Sequence, residues 1–383
     1  MMETLQPTLK NGRNVWDKIN MPEEEFRERI KKIRRKMKKD GIEILLIYGY
    51  GLNEYGNYCY LSNFIIRLPR GALLILPLRE EPCLIFEGAS RGIPSFKKMT
   101  WVEELRAAGD VSKECLNYLK EKNLIPSTIG FVGIYELMPY GQVKFLSESL
   151  GQSKIVGADY IIKEIRMVKS QKEIDQIRRS SRIISMCFKF ITEIKLNKPN
   201  EKMLEALIYR EARLEGAEDV RIMIAKPKEN VWAFRPIEDL EIYPGETIIL
   251  NLSIEFERYW AEASRTFILN DHLLSESRSD RFYSLYEKIL KKLRPKKEIS
   301  QFYKEMMFEI ENEGLVPILD FGVGEAIGLS LKEAPFITEE ETNSFKEGMT
   351  FSLRLLTRDE DLGARMLGNT VSINKNRTEI LTS

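Results

Sequence analysis

The chain has 383 residues, 43% of them apolar, which is enough for two domains of ordinary size with filled cores. Its 59 basic and 58 acidic side chains nearly cancel, leaving no global field to draw it to nucleic acid or to an anionic membrane. Charges run through the N-terminal segment and no stretch of about 18 uninterrupted apolar residues occurs, so neither a secretory leader nor a membrane span is expected and the chain reads as cytoplasmic.

Taken in order, Pro22-Glu23-Glu24-Glu25 opens a helix in which Phe26, Ile30, Ile33 and Met37 repeat at helical spacing, with Gly41 as its stop. IEILLIYGY reads as a buried strand, NYCYLSNF as another, and ALLILPL and EPCLIFE as a hairpin turned around Arg79-Glu80. A helix near Ser112 to Lys122, the strand TIGFVGI, a helix near Gln142 to Leu150 and the strand SKIVGAD complete an α/β alternation, so residues 1–160 are expected to form an α/β domain. In the next segment Ser170 can cap a helix with Glu173 three residues on, and Ile174, Ile177, Ile184 and Phe188 give that helix an apolar stripe. A second helix follows from Asn200 to Leu214, then the strand RIMIAKP and a hairpin formed by TIILNLSIEF and YWAEASRTFIL around Glu257-Arg258. Helices near Ser277 to Leu293 and Ile299 to Glu313 and the strands GMTFSLRLL, ARMLGNTVSI and ILT repeat that order. Residues 161–383 therefore read as a second, α+β domain of two rounds of helices and antiparallel strands.

Chemistry-bearing residues are sparse. Cys59, Cys83, Cys115 and Cys187 are scattered without a CxxC pair, which reads as four ordinary thiols. The single histidine, His272, lies among turn-forming polar residues and reads as a solvated loop residue. No HExxH, P-loop or Rossmann fingerprint is present. On the hairpin, Asn251 and Glu262 stand on the two arms, where paired strands can bring side chains together on one face. Two carboxylates there could grip a cation, but only one is present.

The hairpin, with its ending Ser264-Arg265-Thr266-Phe267, resembles the pita-bread family of creatinase, aminopeptidase P, prolidase and methionine aminopeptidase. Arg166, Lys169, Ser170, Glu173, Ile174, Ile177 and Arg178 match the motif that opens that family's catalytic domain. Gly324, Ile327, Gly328, Leu329, Glu333 and Pro335 agree with its G-H-G-I-G-L-x-x-H-E-x-P loop. The resemblance implies a creatinase-like N-terminal domain, then a curved antiparallel sheet backed by helices in two related halves, and a homodimer. It also implies a pair of divalent metals held by two aspartates, a histidine and two glutamates. The corresponding positions here are Asn251, Glu262, Glu325, Arg354 and Gly368, and Lys332 stands where the family has a second histidine. In VWAFRP, Ala233 takes the place of the family's histidine base, followed by Phe234 and Arg235, so Ala233, Arg235 and Lys332 are candidates to line the cleft.

These substitutions leave two carboxylates and add an arginine, which stays protonated. The expected arrangement is an ion-pair cluster of Arg354 and Lys332 with Glu262 and Glu325, balanced in charge and without a metal or other cofactor. Each residue also has a plainer reading: Asn251 as a hydrogen-bonded strand residue, Glu262 facing solvent, Arg354 paired with Asp359, Glu360 or Asp361. The function expected is that of an inactive pita-bread protein whose old cleft binds a peptide, small molecule or protein. The alternatives are a Xaa-Pro dipeptidase or aminopeptidase, or a metal-free creatinase-like C–N hydrolase using Glu262 or Glu325 as base.

Overall fold

The computed structural model describes residues 15–51, 54–66, 68–124, 126–227, 234–277, 279–359 and 363–382. The chain divides into two compact units, Met1–Arg166 and Met167–Ser383. The expected boundary at 160/161 falls inside a helix, Asp159–Met167, that continues to the division.

In the first unit the order is α1 (Glu23–Asp40), β1 (Ile44–Tyr50), α2 (Gly56–Ser62), β2 (Gly71–Pro77), β3 (Cys83–Glu87), α3 (Ile93–Phe96), β4 (Glu104–Ala108), α4 (Val111–Glu121), β5 (Thr128–Val132), α5 (Ile134–Leu137), α6 (Tyr140–Ser149), β6 (Lys154–Gly157) and α7 (Asp159–Met167). The strands form one mixed sheet in the order β4-β3-β2-β1-β5-β6. β1 and β2 are buried along almost their whole length, as continuous apolar runs covered on both faces should be. The helix α1 buries Phe26, Ile30, Ile33 and Met37 and ends at Gly41, whose φ of 68° suits a residue without Cβ. One expectation fails: NYCYLSNF, read as a strand, is the helix α2 through Ser62. Its aromatic residues favour a strand locally, but every residue of α2 is buried, and packing on all sides overrides the weak β preference.

The second unit runs α8 (Gln171–Glu193), α9 (Glu201–Leu214), β7 (Asp219–Ala225), β8 (Thr247–Phe256), β9 (Tyr259–Asn270), β10 (Leu273–Glu276), α10 (Asp280–Lys292), α11 (Ile299–Asn312), β11 (Val316–Pro317), β12 (Gly324–Ala326), β13 (Glu333–Phe336), β14 (Thr350–Asp359), β15 (Gly363–Ile373) and β16 (Thr378–Ile380). Ser170 and Glu173 form the capping box at the start of α8, and the Asn200 side chain caps α9. The strands make one antiparallel sheet in the order β13-β12-β14-β15-β9-β8-β7, with β10, β11 and β16 attached to β9, β14 and β15. Leu250, Leu252, Ile254, Ala261 and Ala263 pack under α8 and α9. Leu353, Leu355, Leu367 and Val371 pack under α10 and α11. Each half thus sets two helices on antiparallel strands. The β8–β9 turn holds Glu257 and Arg258 at φ 46° and 73°, the pair of positive values that a two-residue hairpin turn matching strand twist demands.

Candidate functional site

Strand side chains alternate between faces, so fixing the apolar set under the helices fixes the other set too. On the face turned away from the helices stand Asn251 and Ser253 of β8, Glu262 and Ser264 of β9, Ser352 and Arg354 of β14, and Gly368 and Thr370 of β15. Register brings them together: Asn251 lies opposite Ser264, Ser253 opposite Glu262, Ser352 opposite Thr370 and Arg354 opposite Gly368. β12 adds Glu325 opposite Ser352, and Gly368 pairs across to Ser264. The five positions singled out in the sequence therefore converge on one patch.

Asn251, Glu262, Glu325 and Arg354 are each under 5% exposed. The Arg354 guanidinium lies between the two carboxylates. Its Nη1 donates to Glu262 Oε1 at 2.6 Å and to Glu325 Oε1 at 2.9 Å, and its Nη2 donates to Glu325 Oε2. Glu262 also accepts from Ser253 at 3.0 Å, Ser352 at 2.9 Å and Asn251 Nδ2 at 3.5 Å, while Ser264 donates to Asn251 Oδ1 at 2.6 Å. Thr370 accepts from the Glu262 amide and donates to its carbonyl, fixing the strand at that point. Burial pushes the Glu262 carboxyl up, but the Arg354 charge and the hydrogen bonds from Ser352, Arg354 and Ser253 outweigh it and hold it below the ordinary carboxylate range. Burial likewise would lower Arg354, yet Glu262 and Glu325 raise it.

Glu262 does not face solvent, and Arg354 is held by Glu262 and Glu325; Glu360 and Asp361, and the Asp359 side chain, lie outside the described residues. Lys332 corrects the expected cluster. It is exposed, with its Nζ 5.5 Å from the centre of the Phe321 ring, so the buried set is two carboxylates and one cation rather than a balanced four. Arg235 donates through both terminal nitrogens to Glu201, at 2.7 and 2.6 Å, which fixes it at the start of α9. Ala233 lies outside the described residues. His272 is exposed in the β9–β10 turn, its Nδ1 3.1 Å from the Leu196 carbonyl oxygen. The four cysteines are buried and are not joined in disulfides.

The site also uses residues not singled out beforehand. Ser253, Ser264, Ser352 and Thr370 each lie two positions from a named residue, a signal that strand alternation carries. Phe321 has no such signal. From a loop its ring centre sits 4.8 Å from Arg354 Cζ and meets Phe234 edge to face at 4.8 Å, so the Phe321 ring, backed by Phe234, lies over the guanidinium. The Lys169 ammonium holds Glu333 at 3.0 Å, nearly excluded from water, and Glu333 in turn accepts from the Ser330 amide, which fixes the loop after β12.

Residues 175–375 match Metallopeptidase family M24, and residues 29–168 match the Creatinase/Prolidase N-terminal domain. The chain belongs to metallopeptidase family M24. A Xaa-Pro dipeptidase of Pyrococcus horikoshii is 22% identical to this M24 chain over 367 residues, 93% of this chain and 97% of the relative. Among solved structures, the prolidase from Pyrococcus horikoshii OT3 superposes with a TM-score of 0.77 at 18% identity, covering 93% of this chain and 98% of that one. The N-terminal domain of the FACT complex subunit SPT16 from chickpea, Cicer arietinum, gives 0.67 at 17% identity, covering 94% and 96%. These likenesses establish the M24 architecture: an N-terminal domain followed by a pita-bread domain, its antiparallel sheet curled and backed by helices.

The M24 family is one of metal-dependent peptidases, and the residues at this site do not fit a divalent metal pair. Hard cations need several oxygen or imidazole ligands converging within about 2.0–2.6 Å. Two carboxylates converge here, and they converge on a guanidinium that is not deprotonated in proteins. Among the described residues no three His, Cys, Asp or Glu side chains are grouped so as to hold a metal ion.

Proposed function

We propose that this M24 protein works by binding rather than by metal-dependent peptide hydrolysis. The observation that carries the reading is the bridge from Arg354 to Glu262 and Glu325, which puts a permanent cation where the two carboxylates point. A metal would have to displace a buried, doubly paired guanidinium, at the cost of leaving it unpaired. Hydrolysis without metal needs a general base near neutral pH. Glu262 is a poor candidate because its carboxyl is held low and already accepts from Ser253, Ser352, Asn251 and Arg354. To a ligand this face offers half-buried Phe321 and Phe234 and the exposed ammonium of Lys332. The partner we propose is a peptide, a small molecule or a protein, engaged by a homodimer.

The second reading is a Xaa-Pro peptidase, and what favours it is the likeness, over most of the chain, to a Xaa-Pro dipeptidase. Assay of Xaa-Pro dipeptides with added cobalt or manganese separates the two. The binding reading expects no turnover above a heat-denatured control. Turnover that saturates with substrate and is abolished by chelation would establish the peptidase.

A further inference from the structure

We infer that the cleft between α8 and the edge of β16 is a docking site for an extended peptide that carries an acidic side chain, read by strand pairing and by Arg182. The cleft holds about 270 Å³ and is lined by Arg178, Arg182 and Ser185 of α8 and by Glu379, Ile380 and Leu381. None of these residues belongs to the Arg354 patch, so the inference goes beyond the functional reading and does not rest on it. Among the described strands β16 pairs only with β15, Ile380 opposite Val371 and Glu379 opposite Ser372. The Leu381 amide donates to the Thr370 carbonyl at 2.9 Å. Bonding in an antiparallel ladder alternates along the strand, so Glu379 and Leu381 turn their backbone groups to β15, while the N–H and C=O of Ile380 point off the open edge. Ile380 is half-buried, and among the described residues neither of these groups has a hydrogen-bond partner. A residue of an extended segment laid beside it can exchange both bonds with Ile380, as in peptide recognition by strand addition.

Charge selects among extended peptides. Arg178 is already neutralised: it donates to Asp175 Oδ1 at 2.6 Å and to both Glu379 oxygens at 3.2 Å, and Asn374 Nδ2 also donates to Glu379, at 3.1 Å. With the Glu379 charge matched by Arg178, no acid of the cleft is left to repel an anion. Arg182, exposed one turn further along α8, makes no ion pair among the described residues and is the cation the cleft presents. Its planar fork suits a carboxylate, which it can hold through two parallel hydrogen bonds. A lysine at the same place would meet like charge instead.

Fluorescence polarisation of a labelled, capped hexapeptide of alternating glutamate and valine, titrated with the full chain, tests this. The wild type should bind it saturably. Three changes should each weaken binding by about tenfold or more, the usual effect of losing a charge-assisted hydrogen bond or a set of paired ones. They are glutamine for glutamate in the peptide, Arg182→Gln in the protein, and a peptide of the same sequence with every amide N-methylated, which cannot donate to a strand edge. Arg182 is exposed, so Arg182→Gln should melt as the wild type does. No saturable binding up to millimolar concentration, or affinity unchanged by any of the three changes, overturns the inference. So does equal binding of a lysine and valine peptide, or competition by free glutarate as strong as by the peptide, which would make the cleft an anion site without strand pairing. Turnover of Xaa-Pro dipeptides would sink the functional reading and leave this one untouched, so the two failures are distinct.

Discussion

Arg354 and Gly368 face each other across the β14–β15 ladder and fit as a pair: a Cβ placed at 368 would stand 3.3 Å from Arg354 Cγ and 3.1 Å from Ser264 Oγ. The long cation and the missing side chain therefore go together, since any side chain at 368 presses on the arginine stem. Gly368→Ala should cost about 1–3 kcal/mol in urea unfolding, the usual range for overpacking a tight interior. In an Arg354→Ala background the cost should shrink, with a coupling of about 0.5–3 kcal/mol in a double-mutant cycle. Additive effects would mean that the arginine stem and the glycine are independent.

Arg235 and Glu201 predict a pH effect. Burial raises the Glu201 carboxyl, but the hydrogen bonds from Arg235 and the Glu238 amide and the charges of Arg235 and Lys226 outweigh it, leaving it below its ordinary value. A depressed folded value gives stability that is present above the unfolded value of about 4.3 and lost as pH falls through the folded one. Glu201→Gln should therefore be less stable than wild type at neutral pH, by about 1–3 kcal/mol. The gap should narrow as pH drops below about 4.3. Denaturant midpoints of both proteins from pH 7 to pH 3 check the sign, and a gap that widens in acid would refute it.

Lys169 and Glu333 form a second buried pair, their side chains 1% and 9% exposed. Space around them is tight: a Cβ at Gly328 would approach Lys169 Cε to 2.9 Å. Lys169→Met removes the ammonium 3.0 Å from this nearly buried carboxylate and should cost about 3–5 kcal/mol. Adding Glu333→Gln should recover part of that loss, whereas a surface pair would show changes within about 0.5 kcal/mol in both variants.

Much of the fold was legible because long apolar runs and caps speak locally. The capping box Ser170/Glu173, the Asn200 cap and the β8–β9 hairpin all stand where the sequence placed them. α2 was misread because a short aromatic segment buried on every side has no face to give it a period. At the site, strand alternation brought Asn251, Glu262, Arg354 and Gly368 within reach of one another, and it would have given Ser253, Ser264, Ser352 and Thr370 as well. Lys332 and Phe321 lie on loops, where no period says which way a side chain points. The pairing of β12 with β13 even shifts register between Glu325 and Ala326, so position in the motif loop did not carry Lys332 inward. The resemblance named the places of the family's ligands, but only the folded arrangement shows a guanidinium donating to both glutamates.

The most direct measurement is the metal content of the wild-type protein, by elemental analysis after equilibration with excess manganese, cobalt or zinc and exhaustive dialysis. With Arg354 holding Glu262 and Glu325, the account predicts far less than one metal ion per chain for all three metals. One or two ions per chain that survive dialysis, and that are lost on Glu262→Gln or Glu325→Gln, would contradict it.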